Sequence, residues 1–264
     1  MTETITEWVQ RRIPATTSDR VQSAVLFGLY HCPASWRRIS TADQSVYAKL
    51  ALHIKVTYLF FEIDDTTEDE EGSVHHAKYV KSVGKIVNRI FRYQFETNED
   101  IKHDSLYQSI CEISRPVGSF LELLNDCAID LKETFGVTKD LLEYYARSAG
   151  YIFSMQSWCG VKDQLHLLNP YTQYHLRIYT GGVCTMMDLI FLLEGIHIPR
   201  SVRDNAFWAR YFEVSGFLPC RINDIIGVEK EWQQMKQFGK PVDNVIFHYM
   251  GATNCSFEQA VTRG

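Results

Sequence analysis

The sequence predicts an all-α chain, and three observations carry that prediction. Gly and Pro together make up about 8% of the residues against a usual figure near 12%, so turn-forming residues are scarce and an all-β sandwich or barrel is disfavoured. Residues 42–67 contain neither, a stretch far longer than a strand. Helix punctuation recurs along the chain: Ser40-Thr41-Ala42-Asp43-Gln44 sets a Ser or Thr three residues before an acid or Gln, the pattern of a capping box. Asn169-Pro170 and Ile198-Pro199 supply helix starts, while Gly72, Gly136, Gly160 and Gly195 stand where helices should stop.

In order, helices are expected over roughly 19–31, 42–67, 74–94, 105–135, 140–158, 171–195, 200–235 and 243–251, as one domain spanning 1–264. No internal repeat, low-complexity segment or Pro/Gly/Ser linker divides it. Ser256-Phe257-Glu258-Gln259 is a further candidate capping box, and the chain stops at Gly264 soon after it, so the architecture is expected to be C-terminally incomplete.

Charge is localised. Of 32 acids, seven (Glu62, Asp64, Asp65, Glu68, Asp69, Glu70 and Glu71) fall within ten residues, and without them the chain is close to neutral. A basic nucleic-acid footprint is absent. The seven cysteines are scattered and never spaced CxxC, which reads as reduced thiols. The N-terminal Met1–Trp8 carries acids where a signal peptide needs basic and then apolar residues, and no run of about 18 apolar residues is evident. A cytoplasmic protein without a membrane span is expected.

On the helix entering the acid run, 100° per residue gathers His53, Thr57, Phe60, Phe61, Asp64 and Glu68 on one face, with Asp65 and Asp69 beside it. Acids at a helix C-terminus oppose the macrodipole, and like charges at i and i+4 repel, so a solvated charge run explains them poorly. Such an arrangement makes more sense if a cation completes it. Oxygen donors without paired Cys or His suit a hard ion such as Mg²⁺. A second constellation sets Asn223, Gly227 and Glu231 at i, i+4 and i+8, with Lys230 on the same face. An ordinary amphipathic surface helix is the bland alternative. Together with the acid run, however, a facing pair of oxygen-rich helices would cage metal ions and a diphosphate.

The two motifs resemble those of the class I terpene cyclases, specifically the fungal trichodiene-synthase-like sesquiterpene cyclases. The aspartate-rich motif DDxx(D/E) is matched by Asp64-Asp65-Thr66-Thr67-Glu68-Asp69, and NDxx(S/T)xx(K/R)E by Asn223-Asp224-Ile225-Ile226-Gly227-Val228-Glu229-Lys230-Glu231. The resemblance implies a bundle of long antiparallel helices around a central active-site cavity, lacking its last C-terminal helices. It implies that Asp64, Asp65, Glu68 and Asp69 form one metal site and that Asn223, Gly227 and Glu231 stand at the ligand positions of the other. About three Mg²⁺ per site are implied. Lys230 would contact the diphosphate, Arg177 would sense it, and Thr180 and Gly181 would link that sensing to a helix break. Glycines at 181 and 182 cost about 1 kcal/mol each in a helix, which independently suggests a break or a close approach.

Two departures are visible: Gly227 replaces the hydroxyl residue of the second motif, and the family's downstream Arg-Tyr pair lies beyond the end of the chain. The implied substrate is an isoprenyl diphosphate, most simply farnesyl diphosphate, ionised and cyclised against an apolar wall in which Phe60 and Phe61 are candidates. Two other functions compete. One is a truncated, catalytically silent relative that binds diphosphate or a partner; the other is a prenyltransferase of the same fold, which would need a second aspartate-rich motif at 223–231. A homodimer is compatible with such a helical domain. The basic series Lys78, Lys81, Lys85, Arg89 and Arg92 reads as a solvent face.

Overall fold

A computed structural model describes residues 1–37, 43–69, 76–159, 170–238 and 244–263. Among them the chain is all α-helix, without a strand. The helices are α1 (Thr2–Gln10), α2 (Ser18–His31), α3 (Ala34–Arg37), α4 (Gln44–Asp69), α5 (His76–Phe91), α6 (Asn98–Lys102), α7 (Ser105–Ile113) and α8 (Arg115–Glu133). They continue as α9 (Lys139–Cys159), α10 (Pro170–Thr180), α11 (Val183–Leu193), α12 (Arg200–Arg203), α13 (Ala206–Phe238), α14 (Val245–Thr253) and α15 (Phe257–Arg263).

The chain separates into two compact units, Met1–Gly150 with Thr185–His197, and Tyr151–Cys184 with Ile198–Gly264. Two of the divisions fall within α9 and α11, and the third between α11 and α12.

Three expected helices are broken, the simplest case being 200–235, which forms α12 and α13 on either side of Asp204 and Asn205. The segment 105–135 forms α7 and α8 because Ser114 is extended (φ −141°, ψ 106°), which leaves Pro116 in the first turn of α8. There its missing N–H costs nothing, whereas inside a continuous helix it would clash with the preceding turn. The segment 171–195 forms α10 and α11, parted at Gly182 with φ +68°. Within it His175–Leu193 is long and apolar enough to cross a membrane, at mean hydropathy 1.4, yet it is interrupted here and 56% buried, as the core of a soluble protein also is. Gly136 and Gly195 stop their helices at positive φ as expected. The box at 256–259 forms with both arms: the Gln259 amide oxygen accepts from Ser256 N at 3.1 Å, and Ser256 Oγ accepts from Gln259 N at 3.3 Å. The expected caps at Ser40 and Thr41, the Asn169 start, and the stops at Gly72 and Gly160 lie outside the described residues. Asp43 instead caps α4, its carboxylate accepting from Ser45 and Val46 N–H.

In the first unit α4 packs against both α2 and α8. Leu50, Leu52, Ile54, Val56, Tyr58, Leu59, Phe60 and Ile63 are all buried, so the helix is apolar on almost every face, as an interior helix is. His53 is buried in this core with neither ring nitrogen hydrogen-bonded among the described residues, and burial lowers its pKa to about 4. In the second unit α10 packs against α13 and α14, and α14 against α13 and α15. Trp232 of α13 stacks on Phe247 of α14 at 5.7 Å.

Candidate functional site

The acid run at the end of α4 is divided by orientation. Glu62 points inward, and Arg20 of α2 reaches both Glu62 (3.2 Å) and Asp65 (3.3 Å), residues three apart and therefore on one side of the helix. Burial pushes the Glu62 carboxyl up while Arg20 pulls it back. Asp65 is exposed and Asp64 half-buried, and the Asp64 carbonyl accepts from Thr67 Oγ1 at 2.8 Å. The Glu68 and Asp69 side chains, with residues 70–75, lie outside the described residues. One turn back, Phe60 is buried and stacked on Phe91 (6.5 Å, 11°), whereas Phe61 is half-buried and meets Phe27 edge-on at 5.0 Å.

The second constellation is more tightly built. Arg177 of α10 donates from Nε (3.2 Å) and Nη2 (2.6 Å) to one carboxylate oxygen of Asp224 on α13. Asp224 is 1% exposed, and its other oxygen accepts from Val245 N at 3.3 Å. An uncompensated carboxylate at such depth would be costly, so the guanidinium and the backbone N–H together make its burial tolerable. Asn244, fully buried at the head of α14, donates to the Asp224 carbonyl and to Glu231 Oε2, each at 2.7 Å, and its own oxygen caps the helix by accepting from Ile246 N at 2.9 Å.

Gly227 matters by what it lacks: a Cβ placed there would stand 2.8 Å from Glu231 Oε1. The position that a Ser or Thr side chain would take is thus bordered by the Glu231 carboxylate. Asn223 and Lys230 are exposed, and Glu231 is half-buried. On α10, a methyl at Gly181 would collide with Cys220 Sγ of α13, so the glycine permits the two helices to approach. Beside it the Thr180 hydroxyl is buried with no hydrogen-bond partner among the described residues.

The structure therefore brings Glu231 against Gly227, and Thr180 and Gly181 into the same packed turn that follows Arg177. It pairs Asp65 with Arg20. Three participants escaped the sequence reading: Arg20, Asp224 and Asn244. Asp224 lay inside the quoted motif, and Asn before an apolar run is an N-cap signal.

Among the described residues no group of three His, Cys, Asp or Glu side chains is already clustered as a metal centre. The donors nevertheless fit a hard divalent ion: they are amide and carboxylate oxygens, and the Glu231 carboxylate is held by a hydrogen bond from behind, as metal ligands commonly are.

An all-α fold with the two motifs is consistent with the terpene synthase families, and the comparison with known families agrees. Residues 55–263 match terpene synthase family 2, C-terminal metal binding, and the chain belongs to that family. It is 24% identical over 147 residues to a (+)-T-muurolol synthase ((2E,6E)-farnesyl diphosphate cyclizing) of Roseiflexus castenholzii, covering 53% of this chain and 44% of that enzyme. The matched region thus spans less than half the length of that relative. No solved structure matches.

Proposed function

We propose that the protein is a Mg²⁺-dependent sesquiterpene cyclase acting on farnesyl diphosphate. Family membership supports a terpene synthase with a metal-binding domain, and the name of the bacterial relative supports the farnesyl chain length. The affinity to the fungal trichodiene-synthase-like branch rests on the two sequence motifs. The observation that carries the reading is the array on α13, where Glu231 is held by Asn244 and Asp224 secures Arg177.

In this reading Asp64, with Asp65, Glu68 and Asp69, serves one metal site, and Asn223 with Glu231 serves the other. Bound Mg²⁺ supplies electrostatic stabilisation of the charge developing on the departing diphosphate. Arg177 and Lys230 donate hydrogen bonds to that diphosphate. Thr180 and Gly181, at the end of α10, carry movement of Arg177 into the α10–α11 break. Phe61 is the better wall candidate, because Phe60 is committed to its stack on Phe91.

The test is incubation of the 264-residue chain with farnesyl diphosphate and Mg²⁺, followed by gas chromatography and assay of released diphosphate. Terpene product that disappears with EDTA or in Arg177→Ala is expected. Neither hydrocarbon, terpene alcohol nor diphosphate from the folded chain would overturn the proposal.

A further inference from the structure

We infer that Asn244 is a positioning residue for Glu231, fixing that carboxylate beside Gly227 and tying it to the Arg177–Asp224 pair. The inference rests on the proposed role of Glu231 in metal binding.

An N-cap requires only an acceptor oxygen, and Ser, Thr or Asp would provide one. Asn244 uses its oxygen that way, on Ile246 N. Its amide nitrogen does something a cap does not need: both hydrogens are directed to α13, one to the Asp224 carbonyl and one to Glu231 Oε2. One donor partner and two acceptor partners are satisfied by a single orientation of the amide, so the side chain cannot flip without losing all three bonds. It is fully buried, which removes water as a substitute.

Glu231 is thus bounded on two sides. Asn244 holds Oε2, and the missing Cβ at Gly227 leaves space beside Oε1, where a Cβ would stand at 2.8 Å. A glutamate has three rotatable bonds, and here the Asn244 bond and the Gly227 backbone bear on where its two carboxylate oxygens lie. Because Asn244 also bonds the Asp224 carbonyl, and Asp224 bonds Arg177, one amide joins α10, α13 and α14 at the proposed metal ligand.

The experiment is Mn²⁺ titration followed by the paramagnetic resonance of the unbound ion, with and without inorganic diphosphate, together with thermal unfolding. Asn244→Ser retains a capping oxygen and loses the amide donors. It should melt within a few degrees of the parent yet bind Mn²⁺ roughly 10-fold or more weakly, the usual effect of removing a hydrogen bond behind a ligand. In a Glu231→Gln background the same substitution should change Mn²⁺ binding little, because the two act as a unit. Gly227→Ala crowds Oε1 without touching the cap, and should weaken Mn²⁺ binding even where Asn244→Ser fails to fold. Parental Mn²⁺ affinity in a folded Asn244→Ser or in Gly227→Ala overturns the inference. No saturable binding by the parent, or unchanged binding in Glu231→Gln, overturns the metal reading itself.

Discussion

A single absent methyl at Gly181 decides how closely α10 and α13 approach. Gly181→Ala should cost about 1–3 kcal/mol by overpacking against Cys220 Sγ, and adding Cys220→Ala should recover much of that loss in urea unfolding. His53 sets a different dependence. It is neutral in the folded core with a pKa of about 4, and takes up a proton near 6.5 once unfolded. As pH falls from 6.5 toward 4 the unfolded chain therefore binds the proton first, and up to about 3 kcal/mol of stability is lost across that window. His53→Leu should flatten this part of the stability profile measured by denaturant unfolding; an unchanged slope would count against the buried, unpaired ring. Residues close together along one helix, such as Asp64 with Asp65 or Asn223 with Glu231, could be grouped as candidates from the sequence. Arg20 and Asn244 could not, because each acquires its role from residues far away in the chain: Arg20 from Glu62 and Asp65, Asn244 from Asp224 and Glu231.

Among the elements, the existence of long helices followed from the scarcity of Gly and Pro, and their interruptions were harder to place. Pro116 marked the α7–α8 break, but only if read as a residue that must occupy a first turn. At the α10–α11 break the glycine pair signalled either a bend or close packing, and the structure uses both: Gly181 for contact, Gly182 for its left-handed backbone. Gly182→Ala should therefore destabilise by about 1–2 kcal/mol, the strain of a side chain at φ +68°, even though the nearest side-chain atom, Ile152 Cδ1, leaves a Cβ ordinary room at 3.5 Å. The short helices α1, α3 and α6 went unread, since so few turns leave little periodicity to detect.

For the whole molecule, the sequence motifs pointed to the family in which the chain falls, while the division of its contacts into two units had no counterpart in composition. An exposed apolar series on α13, Phe207, Tyr211, Val214, Leu218, Ile222 and Ile225, follows spacings of three and four. The native chain should bind an apolar reporter dye, and Leu218→Glu with Ile222→Glu should lower that fluorescence without a change in far-ultraviolet dichroism. The ion pair between Arg177 and Asp224 bears on turnover itself. A guanidinium with an internal carboxylate to return to gives up an anion more readily than one left bare, so under the proposed function Asp224 would assist each release of inorganic diphosphate. On the proposed reading, Asp224→Asn should make inorganic diphosphate a tighter product inhibitor and slow multiple turnover more than the first, a burst that rapid quenching would resolve.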